Sequence, residues 1–444
     1  MDLLGFLPGF GNLFFTLGAF IIALSVIVFV HEYGHYIVGR WSGIHAEVFS
    51  IGFGPVLFSR MDRRGTRWQV AALPLGGYVK FLGDADAASA ADGEAMAGMD
   101  EERRRRTMHG APLWARSATV AAGPMFNFIF SIIVFAVYIS VQGLPSDEPR
   151  LGALHPLPQA AQELREGDLI TAIEGQPVEQ MRDLFALVDD LPAQRELTYT
   201  VERDGRILQL PGPHPVPARA DGVSLQSAAR DAGMRAGDVI TAVDGEPIWA
   251  FRQLLPIVAE AEGAPLTLQI WREGEEVTLT LEPRRTDLPL PEGGFETRWL
   301  IGLQSGAFFE LATRSAGPVE VVPLAVGQTW DIITRSLSGL YHMVAGAISA
   351  CNLSGPIGIA SVSGQIASDG IWPFIWFIAM LSTAIGLLNL FPIPVLDGGH
   401  LVFHAYEAVS GKPPSERAVG FLMTIGLALL GTLMLFAIAT DIVC

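Results

Sequence analysis

Two histidines and a glutamate with the spacing of a metal site lie at the end of an apolar stretch. Residues 31–35 read His-Glu-Tyr-Gly-His, and the run from Phe14 to Val30 before them is long enough to enter a bilayer. On a helix, positions i and i+4 share a face, so His31 and His35 can direct two nitrogens at one metal ion. Glu32 is then placed to take a proton from water. Ionisable groups are costly inside a membrane, so the pattern predicts a buried metal hydrolase rather than a pair of hydrogen-bonded core histidines.

Two histidines leave a catalytic zinc site incomplete, because such sites usually have three protein ligands. The best third ligand is Asp397, within the run Asn-Leu-Phe-Pro-Ile-Pro-Val-Leu-Asp-Gly-Gly-His of residues 389–400. Its prolines and glycines break a helix, and broken helix ends are tolerated at membrane depth where they line a cavity. His400 and His404 are rival ligands beyond the glycine pair, and Asp397 as a plain helix cap is the structural alternative.

The distribution of apolar residues predicts a polytopic α-helical membrane protein. Half of the 444 residues are apolar, and they concentrate in stretches close to the ~20 residues that a membrane-spanning helix needs. Four transmembrane helices are predicted, centred on residues 13–39, 117–141, 371–392 and 419–440.

Charge predicts the orientation of these helices. Residues 40–116 carry 11 Lys and Arg, so this loop is expected in the cytoplasm, whereas residues 142–372 carry 16 Lys and Arg against 31 Asp and Glu and are expected outside. Both termini then face out, and the first and third helices both run inward, which puts the histidine motif and Asp397 at one depth. The acidic net charge of −17 does not favour a nucleic-acid partner. Cys351 and Cys444 both fall outside, where a disulfide is permitted.

Two further regions have recognisable patterns. Short alternating apolar runs broken by glycine between residues 46 and 81 predict membrane-associated β-hairpins, and the Ala- and Asp-rich stretch 84–100 predicts a linker.

An internal repeat follows at a shift of 70 residues. Residues 164–178 align with 234–248, with eight of fifteen positions identical. The repeated pattern of Gly-Asp, apolar strand, acidic-Gly turn and second strand resembles tandem PDZ domains, which bind extended peptides by adding a strand to a sheet edge. A spacer or steric filter is the other interpretation.

These observations together predict the domain organisation of the chain. The predicted segments are the first transmembrane helix (1–40), the β-hairpins (41–83), a cytoplasmic linker (84–116), the second transmembrane helix (117–141), two extracytoplasmic PDZ-like α/β domains (146–218 and 219–286), an amphipathic helical region (287–370), the third transmembrane helix with the aspartate ligand (371–398), a cytoplasmic connection (399–418) and the fourth transmembrane helix (419–440).

The motifs jointly resemble the site-2 protease family, and the tandem PDZ pattern resembles its bacterial RseP-type members. The motifs are His31 to His35, Gly123-Pro-Met-Phe-Asn127, the Asn-Leu-Ser-Gly-Pro run from Asn352, and residues 389–399. The resemblance implies an intramembrane zinc endopeptidase of the bacterial inner membrane. It also implies zinc held by His31, His35 and Asp397, with Glu32 as catalytic residue and with Gly123, Asn127 and Asn389 near the site.

The implied substrates are single-span membrane proteins that have already been cut outside, such as anti-sigma factors, and also remnant signal peptides. Two other classes of protein remain to be weighed. In a non-catalytic membrane PDZ scaffold, a relic metal site would be free to lose Glu32, which is intact. A metal transporter would spread its polar ligands along several spans, whereas here they are predicted to converge at one depth.

Overall fold

The computed structural model describes residues 7–84, 98–158, 163–224, 227–289, 295–349, 351 and 353–443. They form two compact units: unit 1 comprises residues 1–140 together with 317–444, and unit 2 comprises residues 141–316. Unit 1 contains the predicted spans and the metal motif, and unit 2 contains the sequence repeat.

The helices are labelled in chain order. They are α1 (Leu7–Trp41), α2 (Glu101–Arg105), α3 (Leu113–Gln142), α4 (Met181–Leu187), α5 (Ala228–Asp231), α6 (Leu254–Glu260), α7 (Pro318–Val344), α8 (Pro356–Asp369), α9 (Ile371–Asn389), α10 (Asp397–Ser410) and α11 (Glu416–Val443). The strands are β1 (Ala46–Met61), β2 (Arg67–Phe81), β3 (Leu144–Pro145), β4 (Leu151–Leu154), β5 (Leu169–Ile173), β6 (Gln176–Pro177), β7 (Leu197–Arg203), β8 (Arg206–Gly212), β9 (Ala220–Val223), β10 (Val239–Val243), β11 (Glu246–Pro247), β12 (Leu266–Arg272), β13 (Glu275–Leu281), β14 (Arg284–Pro289), β15 (Phe295–Leu300), β16 (Leu303–Ser305), β17 (Phe309–Leu311) and β18 (Thr313–Arg314).

Within the described residues, four helices are long and apolar enough to cross a membrane. They are Leu13–Trp41, Leu113–Gln142, Ile371–Asn389 and Glu416–Val443, which agrees with the four spans predicted from the sequence. The second begins four residues earlier than predicted, because Pro112 starts the helix and the charge of Arg116 is accommodated inside it.

The third span differs from its prediction. It ends at Asn389 rather than at residue 398, and Asp397 opens the separate helix α10 after a non-helical turn that contains Pro392 and Pro394. The predicted connection 399–418 is therefore mostly helix.

The predicted amphipathic helical region 287–370 is only partly helical. It begins with strands β14 to β18 and continues as two helices, α7 and α8, that are interrupted before Pro356. Helix α7 packs against the spans α3 and α9 through Ala325 and its neighbours. Other apolar side chains of α7, such as Trp330 and Val344, are exposed. The Ala- and Asp-rich stretch 84–100 falls mostly outside the described residues, whereas the rest of the predicted linker contains α2 and the start of α3. Cys351 is disulfide-bonded. Cys444 lies outside the described residues.

Strands β1 and β2 both bend and pair with each other along two stretches, so they form one antiparallel sheet beside α1. Residues 48–51 pair with 77–80 on one side and with 67–70 on the other, and 67–71 pair in turn with 56–61. The sheet therefore has two outer edges, 77–81 and 56–61. Stacking of Phe49 on Trp68, with ring centroids 4.3 Å apart, fixes it against the aromatic face of α1.

Unit 2 shows the duplication that the repeat predicts. Each copy has a four-stranded antiparallel sheet, in the order β6-β5-β7-β8 and then β11-β10-β12-β13. Each first hairpin turns at an acidic residue and a glycine with positive φ, Glu174-Gly175 and Asp244-Gly245. The same ion pair recurs in both copies, Asp168 with Arg203 and Asp238 with Arg272, each at 2.7 Å.

Both copies are completed by a segment beyond their predicted ends at 218 and 286. Strand β16 pairs with β9 of the second copy, and β17 pairs with β4 of the first. Ile301, just before β16, joins the hydrophobic core of the second copy, and Phe308, just before β17, joins that of the first. The two copies therefore share one closing segment, residues 301–311.

Candidate active site

The HExxH helix and the start of α10 bring three potential metal ligands together. His31 Nε2 lies 3.1 Å from His35 Nε2 and 3.1 Å from Asp397 Oδ2, and His35 Nε2 lies 3.5 Å from the same oxygen. The three side chains are 12% to 16% exposed. Among the described residues they form the group whose ligand atoms all lie within 4.8 Å of one another.

The donor set fits a divalent transition metal. Two imidazole nitrogens and one carboxylate oxygen are ligand types that zinc prefers, and three protein ligands leave a position open for chemistry. Asp397 Oδ2 is buried and makes no hydrogen bond. A buried carboxylate oxygen without a donor is costly, and a bound cation removes that cost.

A tight turn positions Asp397. An added Cβ at Gly398 would overlap the carbonyl oxygens of Leu390 and Phe391, and one at Gly399 would overlap that of Ile393. The turn can therefore fold onto itself only with glycine at both places. Asp397 is the first residue of α10, where the helix dipole favours a carboxylate.

Helix α3 orients both histidines from behind. His35 Nδ1 lies 2.8 Å from the carbonyl oxygen of Thr119, which keeps a proton on Nδ1 and leaves Nε2 free for a metal. Asn127 Nδ2 lies 3.3 Å from His31 Nδ1. A metal-binding His31 carries its proton on Nδ1, so the Asn127 amide has to be turned over to let Oδ1 accept that proton. That orientation gives a partner to the Oδ1 atom, which is otherwise buried without one.

Gly123 allows α3 to approach the imidazoles directly. A Cβ at this position would lie 2.5 Å from His35 Cε1 and 2.8 Å from His31 Cε1, and would overlap His35 Nε2. Gly34 plays the matching part on α1, because a Cβ there would lie 2.5 Å from the carbonyl oxygen of Ala122. Small residues on both helices thus permit the close contact that the site needs.

Glu32 points into a cavity between α1, the sheet and α10. Its carboxylate faces the backbone N–H of Val79 on the outer edge 77–81. The cavity has a volume of about 280 Å³, and its lining includes His31, Glu32, His35, Gly77, Tyr78, Val79, His109, Asn389, Asp397, His400 and His404. The side chain of Asn389 donates to the carbonyl oxygen of Ile385 and so remains close to the end of α9.

The two rival histidines lie in the same cavity but outside the group of converging ligands. His404 Nδ1 lies 3.2 Å from Ser117 Oγ of α3. Burial, and secondarily the nearby Arg116 guanidinium, lowers the pKa of His404 to about 4. Burial also lowers the pKa of His400. Both imidazoles are therefore neutral near pH 7.

Sequence reasoning missed the partners that are backbone groups or distant ion pairs. The Thr119 carbonyl and the Val79 N–H leave no trace in residue type. One sequence signal could have located this supporting face of α3. Polar or small residues recur there in steps of three and four, at Arg116, Thr119, Gly123 and Asn127.

Comparison with known proteins identifies the family of the chain. The sequence profile of peptidase family M50 matches residues 19–433. The chain belongs to peptidase family M50. It is 38% identical to a provisionally named zinc metalloprotease of Rhizobium meliloti, in an alignment of 434 residues that covers 97% of each protein. It is 35% identical to the regulator of sigma-E protease RseP of Salmonella typhimurium, in an alignment of 460 residues that covers 97% of this chain and 99% of that protein.

Membership in family M50 establishes the class of enzyme. This M50 peptidase is a zinc metalloendopeptidase, as the sequence predicted, and its four apolar helices fit a multi-pass membrane protein.

Proposed function

We propose that this M50 peptidase cuts single-span membrane proteins inside the bilayer, after a first cut outside the membrane has shortened them. The observation that carries the proposal is that Asp397 of α10 meets His31 and His35, beside Glu32, on a candidate transmembrane helix. A site at this position is reached by peptide segments that lie in the membrane. The Salmonella relative is named as a regulator of sigma-E, which supports anti-sigma factors as one proposed substrate class. Remnant signal peptides are a second.

In this proposal, His31, His35 and Asp397 hold the zinc ion. When bound, zinc makes water more acidic and draws electron density from the scissile carbonyl. Glu32 takes the proton from the attacking water and delivers it to the leaving amine. Asn389 lines the cavity and can donate to the carbonyl oxygen as negative charge develops there. Asn127 is completely buried behind His31, so its role is to orient that imidazole.

The outer edge 77–81 of the sheet is the proposed holding place for the substrate. A transmembrane helix keeps its carbonyls in its own hydrogen bonds, so the substrate must unwind before hydrolysis. Residues 77–80 pair only with 48–51 within the described sheet, which leaves their other side available for an added strand. Because Val79 faces Glu32, a strand added there passes directly by the catalytic carboxylate.

The remaining parts of the proposal concern orientation and selection. Because the loop 40–116 is basic, we propose that it lies on the cytoplasmic side of the bacterial inner membrane and that unit 2 and both termini lie outside. The duplicated domains of unit 2 are PDZ-like, and they admit substrates whose outer domain has been removed. Their sheet edges also offer binding sites for extended peptides.

Replacement of Glu32 tests the proposed chemistry. Glu32→Gln keeps the shape of the side chain but cannot accept the proton, so we expect cleavage of a single-span reporter in proteoliposomes to fall by at least the ~10²-fold typical of a lost general base. Zinc content should remain near wild type. Glu102→Gln, in the exposed helix α2, is the matched control. Cleavage at a normal rate by the Glu32→Gln enzyme would refute the assigned role.

Substrate capture tests the sheet edge separately. In the Glu32→Gln background, Val79→Pro removes an edge N–H and should weaken capture of the uncut reporter, without loss of zinc. Ser59→Pro, on the opposite outer edge, is the control. Equal capture by the two variants would contradict strand addition at residues 77–81, while leaving the zinc site and the role of Glu32 intact.

A further inference from the structure

An ion pair ties the far end of α10 to α3. Arg116 Nη2 lies 2.6 Å from Glu407 Oε1, and Arg116 Nη1 lies 3.1 Å from Glu407 Oε2, so the two side chains meet fork to fork. Arg116 Nε donates to the carbonyl oxygen of Ala111 at 3.1 Å. The side chains are 15% and 17% exposed. A paired geometry of this kind, largely withdrawn from water, fixes orientation as well as distance.

Helix dipoles do not explain the positions of these two charges. Arg116 is in the first turn of α3, and Glu407 is in the last turn of α10. Helix dipoles disfavour a cation at the first position and an anion at the second. Each charge therefore lies at the helix end where the helix dipole is unfavourable to it. The contact between Arg116 and Glu407 offsets that cost.

Helix α10 buries few of its own residues. Its fully buried residues are Gly398 and Gly399, both in the first turn, while Val402, Tyr406 and Val409 are exposed. Beyond the first turn, Leu401 packs against the hydrophobic cluster that includes Ala115 and Val120 of α3. The polar contacts to α3 come from the Arg116–Glu407 pair and from the Ser117–His404 contact.

The same face of α10 carries the metal ligand. Asp397, His400, His404 and Glu407 follow each other at intervals of three, four and three residues, so they form one stripe along the helix. Rotation of α10 about its axis by about 20° moves a side-chain tip 5–6 Å from that axis by about 2 Å. Metal ligation tolerates about 0.2 Å. Control of this rotation is therefore a requirement for zinc binding through Asp397.

We propose that the Arg116–Glu407 ion pair is a positioning device that sets the rotation of α10 and so holds Asp397 in register with His31 and His35. Helix α3 then positions all three ligands, the histidines through Thr119 and Asn127 and the aspartate through Arg116. The inference rests on the proposed assignment of Asp397 as a zinc ligand.

Zinc affinity of the full-length protein in detergent is the decisive measurement, made by competition with a chelator. Arg116→Ala and Glu407→Ala should each weaken zinc binding by about 10-fold to 100-fold, as is typical for lost supporting groups. The charge-swapped double variant Arg116→Glu with Glu407→Arg should recover affinity to within about fivefold of wild type, because rescue restores the contact and not the individual residues. Arg105→Ala removes the exposed Arg105–Glu101 pair and should leave affinity unchanged.

Two additional variants keep the outcome interpretable. Arg116→Lys retains the charge but loses the paired hydrogen bonds, so it decides the question if the alanine variants do not fold, and intermediate affinity is expected. Asp397→Ala separates this inference from the proposed ligand set. If Asp397→Ala keeps its zinc, the ligand assignment fails. If Asp397→Ala loses zinc while folded Arg116 and Glu407 variants bind it as wild type does, the positioning role alone is overturned.

Discussion

An alanine in place of Gly123 adds a single methyl group directly behind the two histidines. That carbon would lie 2.5 Å from His35 Cε1, whereas ordinary contact begins at 3.4 Å, so helix or imidazole must move by about 0.9 Å, the difference of the two. The tolerance of a metal site is about 0.2 Å. Gly123→Ala should therefore displace the ligands well beyond the range in which zinc binds normally.

The expected loss of activity follows from that displacement. A misplacement of about 1 Å at a reacting centre can reduce the rate about 10²-fold, which corresponds to about 2.7 kcal/mol of transition-state stabilisation. We expect kcat/KM for a single-span reporter in proteoliposomes to fall by at least that factor, together with lower zinc occupancy.

Gly18→Ala is the matched control for this experiment. Gly18 lies in the same helix as the two histidines, and an added Cβ there meets nothing within 4 Å. Its zinc occupancy and cleavage rate should equal those of wild type. A Gly123→Ala protein with full zinc content and a rate within threefold of wild type would refute the packing argument, because the added carbon would then be accommodated without cost.

Three other predictions concern the third ligand, the stability of unit 2 and substrate selection. Asp397→Ala should reduce zinc affinity by more than the 10-fold to 100-fold typical of a lost supporting group, as measured by metal analysis after dialysis against a chelator. Burial alone would raise the pKa of Asp168, but hydrogen bonds from Arg203 and from the backbone N–H of Arg165 outweigh it and hold that pKa below its ordinary value. A carboxylate with a lowered folded pKa stabilises the fold above its unfolded pKa and loses this contribution as the pH falls through the folded value. The urea midpoint of the sheet signal in circular dichroism should thus fall less on acidification from pH 5 to pH 2 in Asp168→Asn than in wild type, and an equal fall would show that Asp168 has no such role. Deletion of residues 146–316 should permit cleavage of reporters that still carry a bulky outer domain, and unchanged discrimination would contradict the proposed filter.

The sequence predicted the reactive groups better than their supports. His31, Glu32 and His35 are recognisable because two side chains four residues apart on a helix converge without help from tertiary structure. Asp397 could be singled out because few ionisable residues lie near the other spans. The Thr119 carbonyl and the Val79 N–H could not, since every residue has such groups and only the fold brings a particular one to the site.

Errors in the predicted organisation have physical causes of their own. The end of the third span was placed at residue 398 because the apolar run continues past Asn389, although Pro392 and Pro394 cannot continue the hydrogen bonding of the helix. Helix α8 was not distinguished within the predicted helical region 287–370, because Gly and Ser dilute its apolar pattern. Strands β16 and β17 are three residues long, and pairing with partners far earlier in the chain decides their conformation.

The shared closing segment of unit 2 also constrains how the protein is made. Phe309 pairs with Leu154, and Leu303 pairs with Val223, so neither copy has its full set of strands until residues 301–311 have left the ribosome. Domains usually fold in the order of synthesis, the N-terminal one first. Here the earlier copy must wait for the later one, so the two reach the native state together. A truncated or stalled chain would then expose two incomplete sheet edges rather than one finished domain, which makes this region a natural target for quality control during biogenesis.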